Sequence, residues 1–478
     1  MRALLPMRDA LAEPELFGRV MPGDSWLGWR SLLIAAMGEK LTDEERVVFE
    51  TLTGRPQEPG ERVEEFWGII GRRGGKTRAM AVLAVYFGTL IDYSDILSVG
   101  ERAMVAFMAA SQDQAEVAFG YAHGIIHNAP VLKRMIQNET ASLLALSNRI
   151  DLQIRPASKR TSRGPTYAAV IADEAAFWRS DDSANPDTDI LNAVRPGLAT
   201  TGGPLVVISS PYARRGEVYT TWKRHFGTAG DPLILVAQGA SRLLNPTLKQ
   251  RVVDRAMERD EASARAEYLG QFRTDVEAFL TREAVDAVVS PGVLERKRIS
   301  GVEYAGFVDP SGGASDSFTL AIAHEEGGKG ILDVIREAKP PLSPENVVAE
   351  YAALLKSYGV HKVTGDRYAG EWPPEAFRRH EITFEQSAKP KSDLYRDLLP
   401  AVNSGNVDLL DHPRLIAQLV GLERRTSRGG RDSIDHAPKA HDDVANAAAG
   451  VLVSLVGTQP ASAAMFLTSR HRLSRAAG

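Results

Sequence analysis

Five apolar runs punctuate the first half of the chain: EEFWGII (64–70), VAFMAA (105–110), AAVIADE (168–174), PLVVISS (204–210) and LILVAQG (233–239). They are continuous rather than alternating, and helical stretches separate them. That pattern predicts a mostly parallel sheet covered on both faces. An amphipathic helical stretch is predicted over 25–50, ending at the Pro/Gly-rich break GRPQEPGE (54–61). GRRGGKT and the apolar RAMAVLAVYFGTL then read as a Gly-rich loop opening a helix, and a second helix starts at Gln112. The pattern changes after residue 272. Segment 273–300 is polar and mixed and reads as a linker. Three strand patterns follow, YAGFVDP (304–310), SFTLAIAHE (317–325) and GILDVIREA (330–338), and their short Gly-containing gaps predict hairpins. A helix (344–357), a strand (361–366), a further helix and strand, and a last helix from His441 to Val456 complete a second α/β unit.

The domains expected are therefore 1–272 with an N-terminal helical segment, a linker 273–300, a second domain 301–458 and a basic tail 459–478. The tail carries Arg470, Arg472 and Arg475. With 478 residues, 44% hydrophobic and 25% charged, the chain is long enough to bury two cores. It has no cysteine, which excludes disulfides, thiolate zinc sites and a cysteine nucleophile. Its 57 basic and 61 acidic residues leave a net charge of −4, so a globally basic nucleic-acid binder is not expected, while local basic patches remain open. No signal peptide and no apolar run of bilayer length is seen, so a cytosolic chain without a membrane partner is expected.

The first constellation is Gly71-Arg72-Arg73-Gly74-Gly75-Lys76-Thr77. Glycines at a strand-to-helix junction let backbone N–H groups approach phosphates, and the helix N-terminus adds positive potential. Lys76 can reach the β- and γ-phosphates of ATP, and the Thr77 hydroxyl can ligate Mg²⁺. The spacing departs from GxxxxGK[ST]: Ile70 stands where the first glycine is wanted, and Gly71 comes one place late. About a hundred residues on, an apolar strand ends in Asp173-Glu174, placed to hold Mg²⁺ and to polarise an attacking water. Ser209 and Ser210 end the next strand and could sense the γ-phosphate, or form a plain Ser-Pro turn. Arg72 and Arg73 could stabilise transition-state charge, or form a salt bridge or face DNA. The run with Arg155, Lys159, Arg160 and Arg163 could hold phosphates or be a solvated loop.

The second constellation is a set of separated carboxylates. Asp309 ends GFVDPSGG, Asp366 ends KVTGD, and Asp442 and Asp443 open the last helix in HDDVANAAA. Such acids repel unless cations neutralise them, and hard oxygen ligands suit Mg²⁺ or Mn²⁺. Two ions about 4 Å apart would support phosphodiester cleavage. Each acid alone also reads as a turn residue or a helix cap. Their order along strands and helix matches the RNase H-like nuclease topology. Asp316 is a weaker candidate for the metal shell, and His436 and His441 could orient a carboxylate or water.

GRRGGKT, VIADEAAFW, ISSPY, GFVDPSGG, TGDRYAG and HDDVANAAA, in that order, resemble the large terminase subunit of tailed bacteriophages. The resemblance implies an N-terminal P-loop ATPase that moves double-stranded DNA into a procapsid, and a C-terminal RNase H-like endonuclease that cuts concatemeric DNA. It implies that Gly71 to Thr77 bind ATP, that Thr77 and Asp173 hold Mg²⁺, and that Glu174 is catalytic. Arg72 would be a finger or sensor, and Ser209 and Ser210 would couple hydrolysis to movement. Asp309, Asp366 and one or both of Asp442 and Asp443 would hold the nuclease metals. Implied partners are a small terminase subunit, the portal ring and sibling copies of the chain around it, in the host cytoplasm. An adenine-binding segment is expected within 24–54, with Trp26 and Trp29 read as core. A helicase–nuclease of repair or defence is the competing account; it would need a second motor lobe, for which the chain after 240 leaves little room.

Overall fold

The computed structural model describes residues 1–456 except 181, 182, 184, 229, 313–315, 367–371, 427–431 and 439. The basic tail expected at 459–478 lies outside the described residues. The chain divides into two compact units, Met1–Glu277 and Ala278–Gly478.

In the first unit, the helical stretch expected over 25–50 is two helices, α1 (Leu27–Ala36) and α2 (Asp43–Thr53). The break has a local cause. Gly38 takes a left-handed φ of 74°. Thr42 then caps α2 reciprocally: its hydroxyl accepts from Glu45 N, and its own N–H donates to the Glu45 carboxylate at 2.8 Å. Eight strands form one sheet: β1 (Glu65–Ile70), β2 (Ala103–Ala109), β3 (Ile136–Thr140), β4 (Leu143–Leu146), β5 (Ile150–Pro156), β6 (Tyr167–Asp173), β7 (Leu205–Ser209) and β8 (Ile234–Gly239). Their order is β8-β1-β7-β6-β2-β5-β4-β3. From β8 to β5 all neighbours are parallel; β4 and β3 extend the sheet antiparallel. Every apolar run expected as a strand is one. Helix α3 (Lys76–Thr89) is buried from Ala79 to Thr89, which fits its all-round apolar sequence. Helix α4 (Gln112–Asn128) starts where predicted, with Ser111 as its cap. The parallel array sends β1, β6 and β7 to one edge, so Ile70, Asp173 and Ser209 end side by side.

In the second unit the sheet holds β9 (Val289–Ser290), β10 (Tyr304–Asp309), β11 (Phe318–Glu326), β12 (Lys329–Ala338), β13 (Lys362–Gly365), β14 (Thr383–Gln386) and β15 (Val407–Leu410). The order is β9-β15-β12-β11-β10-β13-β14. β10, β11 and β12 are the expected antiparallel meander. Gly327 and Gly328 turn β11 into β12 with φ of 60° and 82°, which residues with a Cβ rarely adopt. β13 adds parallel to β10, and β14 parallel to β13. Part of the segment expected as a linker is built into this unit. Phe279, Leu280, Val285 and Val288 are buried, β9 pairs with β15, and Arg296 pairs with Asp408 at 2.7 Å. Helix α5 (Pro344–Ser357) matches its expected span. Helix α6 is Lys391–Asn403. The last helix, α7 (Asp443–Val456), packs across β10, β11 and β12. Gly450 permits that close approach: a Cβ there would meet the Phe307 ring at 2.4 Å.

Candidate functional site

The loop between β1 and α3 is shaped by its glycines. A Cβ at Gly71 would strike the Ser241 hydroxyl at 2.4 Å, and Gly75 has a left-handed φ of 86°. Three residues outside every motif brace the loop. The Trp29 indole donates to Gly74 O at 2.7 Å while fully buried, and the Ser241 hydroxyl donates to Arg72 O at 2.6 Å. Trp29 is thus core, as expected, and also a support of the cradle. Asn245 donates to Arg73 O at 2.7 Å. Arg72 and Arg73 are exposed, and the Arg72 guanidinium lies 3.4 Å from Glu267, which is the ion-pair alternative.

Lys76 is only 6% exposed, and its ammonium meets three acceptors: Ile70 O at 2.8 Å, the Ser210 hydroxyl at 3.0 Å and a Glu174 carboxylate oxygen at 3.3 Å. The other Glu174 oxygen accepts from Ser210 N at 2.9 Å and from the Ser209 hydroxyl at 3.3 Å. Glu174 holds a left-handed φ of 50°, a conformation rare for a side-chain-bearing residue. Beside it, burial and then the Glu174 charge push the Asp173 carboxyl up to about 7, against the pull of Lys76 and a hydrogen bond with Thr77. Asp173 Oδ1 is buried and accepts no hydrogen bond. A buried acid of this kind beside a Thr hydroxyl suits a Mg²⁺ ion, which would satisfy the oxygen and neutralise the charge. The structure therefore brings Lys76, Thr77, Asp173, Glu174, Ser209 and Ser210 together. The basic run is anchored by Arg155, which donates to Thr161 O at 3.0 Å; Lys159 lies 3.7 Å from Asp189, and Arg160 and Arg163 are exposed.

In the second unit, Asp309 and Asp366 end adjacent parallel strands, with Asp366 N donating to Val308 O at 3.1 Å. The side-chain amide of Asn446, fully buried on α7, donates to both carboxylates at 2.8 Å each. Burial drives the Asp309 carboxyl well above the usual carboxylate range; Asn446 opposes this, while Asp366, Asp443 and Asp442 reinforce it. The two acids of the HDD motif differ. Asp442 is engaged: the Tyr395 hydroxyl donates to it at 2.8 Å, and Lys391 lies 3.1 Å away. Burial opposes the Lys391 charge, yet Asp442 and Asp435 outweigh it and raise its pKa. Asp443 Oδ2, in contrast, is buried without a hydrogen bond, and burial and Asp442 push its carboxyl up to about 6. Asp309 and Asp366 thus share one buried amide, and the Asp443 charge is near enough to raise Asp309; paired carboxylates of this kind suit a hard divalent cation. His441 lies 3.7 Å from Asp316, and His436 lies 3.7 Å from Asp435. Most of the TGDRYAG segment beyond Asp366 lies outside the described residues. No described helix is long and apolar enough to cross a membrane.

No protein-family model and no curated protein matches the chain. Several solved structures do. The large terminase of bacteriophage HK97 is 17% identical, with 82% of this chain and 91% of that chain covered at a TM-score of 0.38. The large terminase of a thermophilic bacteriophage is 12% identical, covering 82% and 94%, at 0.35. The magnesium-bound large terminase nuclease of thermophilic phage G20c is 17% identical, covering 37% and 100%, at 0.32. At such values the likeness transfers no residue role and no activity. These three solved structures are phage large terminases or their nuclease, the family that the ordered motifs along this chain resemble.

Proposed function

We propose that the chain is the large subunit of a viral DNA-packaging terminase. In this reading the first unit hydrolyses ATP to move double-stranded DNA into a procapsid, and the second cuts concatemeric DNA. The observation that carries it is the pairing of two unlike anionic sites in one chain: a lysine-bearing Gly-rich cradle beside Asp173-Glu174, and a carboxylate cluster gathered by Asn446.

In the cradle, backbone N–H groups of residues 75–77 and the Lys76 ammonium bind the phosphates. Thr77 and Asp173 would hold Mg²⁺, which would supply neutralisation of phosphate charge. Glu174 orients a water for in-line attack on the γ-phosphorus. One P–O bond forms as the bond to the β-phosphate oxygen breaks, the leaving ADP takes the electron pair, and the water's proton passes to the Glu174 carboxylate. Arg72 and Arg73 are the cations on the cradle loop available to developing charge. Ser209 and Ser210 transmit the change, because they contact both Glu174 and Lys76. In the second unit, Asp309, Asp366 and Asp443 are the metal ligands, and Mg²⁺ or Mn²⁺ supplies Lewis-acid polarisation of the phosphodiester when bound. Asp442 serves by positioning the start of α7 through Lys391 and Tyr395. Partners in this reading are DNA, a small terminase subunit, the portal ring and further copies of the chain, in the host cytoplasm.

The test is a crossed pair of substitutions. Lys76→Ala should abolish ATP hydrolysis and spare cutting of supercoiled plasmid in Mg²⁺ or Mn²⁺. Asp309→Ala should abolish cutting and spare hydrolysis. If either folded variant loses both activities, the two-site reading fails.

A further inference from the structure

Away from both sites, helix α4 and the edge strand β3 bring three side chains of ligand type together. His123 and His127 stand four residues apart on α4 and so share a face. Their rings stack, with centroids 4.2 Å apart and planes at 27°. Glu139 reaches in from β3, its Oε2 lying 2.9 Å from His127 Nε2 and 3.7 Å from His123 Nε2. One ligand atom from each residue lies within 4.8 Å of the other two. A tetrahedral ion with ligand bonds of about 2.0–2.1 Å sets its ligands about 3.3 Å apart. The two separations to Glu139 bracket that value. The side chains are 42%, 27% and 46% exposed, so an ion can enter from solvent and keep a position open to water.

Donor chemistry selects the ion. Two imidazoles and one carboxylate suit Zn²⁺ or Co²⁺, whereas Mg²⁺ and Ca²⁺ prefer all-oxygen sets. We infer that His123, His127 and Glu139 form a zinc-binding site that staples the edge strand β3 to α4. β3 pairs with β4 on one side only and exposes Gln137 to Thr140. An ion joining it to a buried-faced helix would restrain an edge strand that the sheet holds from one side only. The site serves neither the cradle nor the acid cluster, so it stands whether or not the packaging reading does. A plain surface ion pair between His127 and Glu139 is the competing account.

The test uses the tag-free full-length chain, stripped with EDTA and titrated with Zn²⁺ against a chelating indicator. Excess Mg²⁺ is present to fill the acid cluster. A single Zn²⁺ should bind, and Co²⁺ in its place should give the intense visible absorption of tetrahedral coordination. Loss of an outer-shell partner already costs about 10–100-fold in affinity, so His123→Ala and His127→Ala should weaken binding at least about 100-fold. Glu139→Gln should weaken it less. Zn²⁺ should raise the melting temperature of the wild type and not of His127→Ala, whose circular dichroism should match the wild type. His436→Ala, which touches the only other described His-containing cluster of this kind, should leave Zn²⁺ affinity unchanged. Equal affinity in wild type and His127→Ala would overturn the inference, as would loss of binding in His436→Ala alone.

Discussion

Asp443→Asn separates the electrostatic cost of the acid cluster from its chemistry. Asp443 opens α7 with a buried, unbonded Oδ2, and its carboxyl is raised from 3.8 to about 6. The folded chain therefore keeps this proton to higher pH than the unfolded chain does. Stability is lost as pH rises from about 4 to about 6, and the loss is complete above that. About two pKa units at about 1.4 kcal/mol each give about 3 kcal/mol. A carboxylate in the first turn of a helix recovers about 0.5–1 kcal/mol, which leaves about 2 kcal/mol. Asparagine keeps the shape and removes the charge. In EDTA at about pH 8 the variant should be about 2 kcal/mol more stable, raising the second unit's Tm by about 4–8 °C in calorimetry of the full chain. At about pH 4 the gain should vanish, because the wild type is then protonated itself. Saturating Mg²⁺ should also erase it, because the cation neutralises the wild-type cluster. Plasmid cutting should be lost throughout. A lower Tm at about pH 8 in EDTA, or an equal gain at about pH 4, would refute the charge argument.

Trp29→Phe removes the 2.7 Å hydrogen bond to Gly74 O and leaves a buried acceptor bare, a loss of about 1–3 kcal/mol. The KM for ATP should rise several-fold in steady-state hydrolysis, with plasmid cutting unchanged. Asn446→Ala removes the amide shared by Asp309 and Asp366; hydrogen bonds to charged groups contribute about 1.5–3 kcal/mol each, so its Tm should fall well below wild type in EDTA and much less in Mg²⁺. Asp173, raised to about 7, must lose a proton when Mg²⁺ binds below that pH. Mg·ADP affinity should therefore climb as pH rises through about 7 and level off above, with proton release seen by titration calorimetry in two buffers. Asp173→Asn should abolish that release.

What the sequence reveals here, and what it hides, follows from where each signal lives. The parallel strands are legible because both faces are buried, which leaves an unbroken apolar run such as YAAVIAD. The antiparallel extension is not: β3 is Ile-Gln-Asn-Glu-Thr, exposed beyond its first residue, and carries no apolar alternation to detect. The division of the 25–50 stretch was available in Thr42-x-x-Glu45, a capping box inside an otherwise continuous pattern. Asn446 was also within reach, since it stands three residues after Asp443 on the same helical face. Trp29, Ser241 and Asn245 were not, because each supports the cradle from a segment distant in the chain. The unlike surroundings of Asp442 and Asp443 depend on Tyr395 and Lys391, which only tertiary packing brings to α7.

The Lys76–Glu174 contact has a further consequence under the proposed reading. Lys76 is satisfied by acceptors of the chain itself, and one of them is the carboxylate assigned to orient water. An arriving phosphate must outbid those acceptors for the ammonium. As it does so it releases Glu174 from its lysine, while Ser210 keeps hold of the other carboxylate oxygen. The cradle then behaves as an interlock: nucleotide entry is itself the act that frees the base, so a trapped water alone finds no carboxylate ready for it.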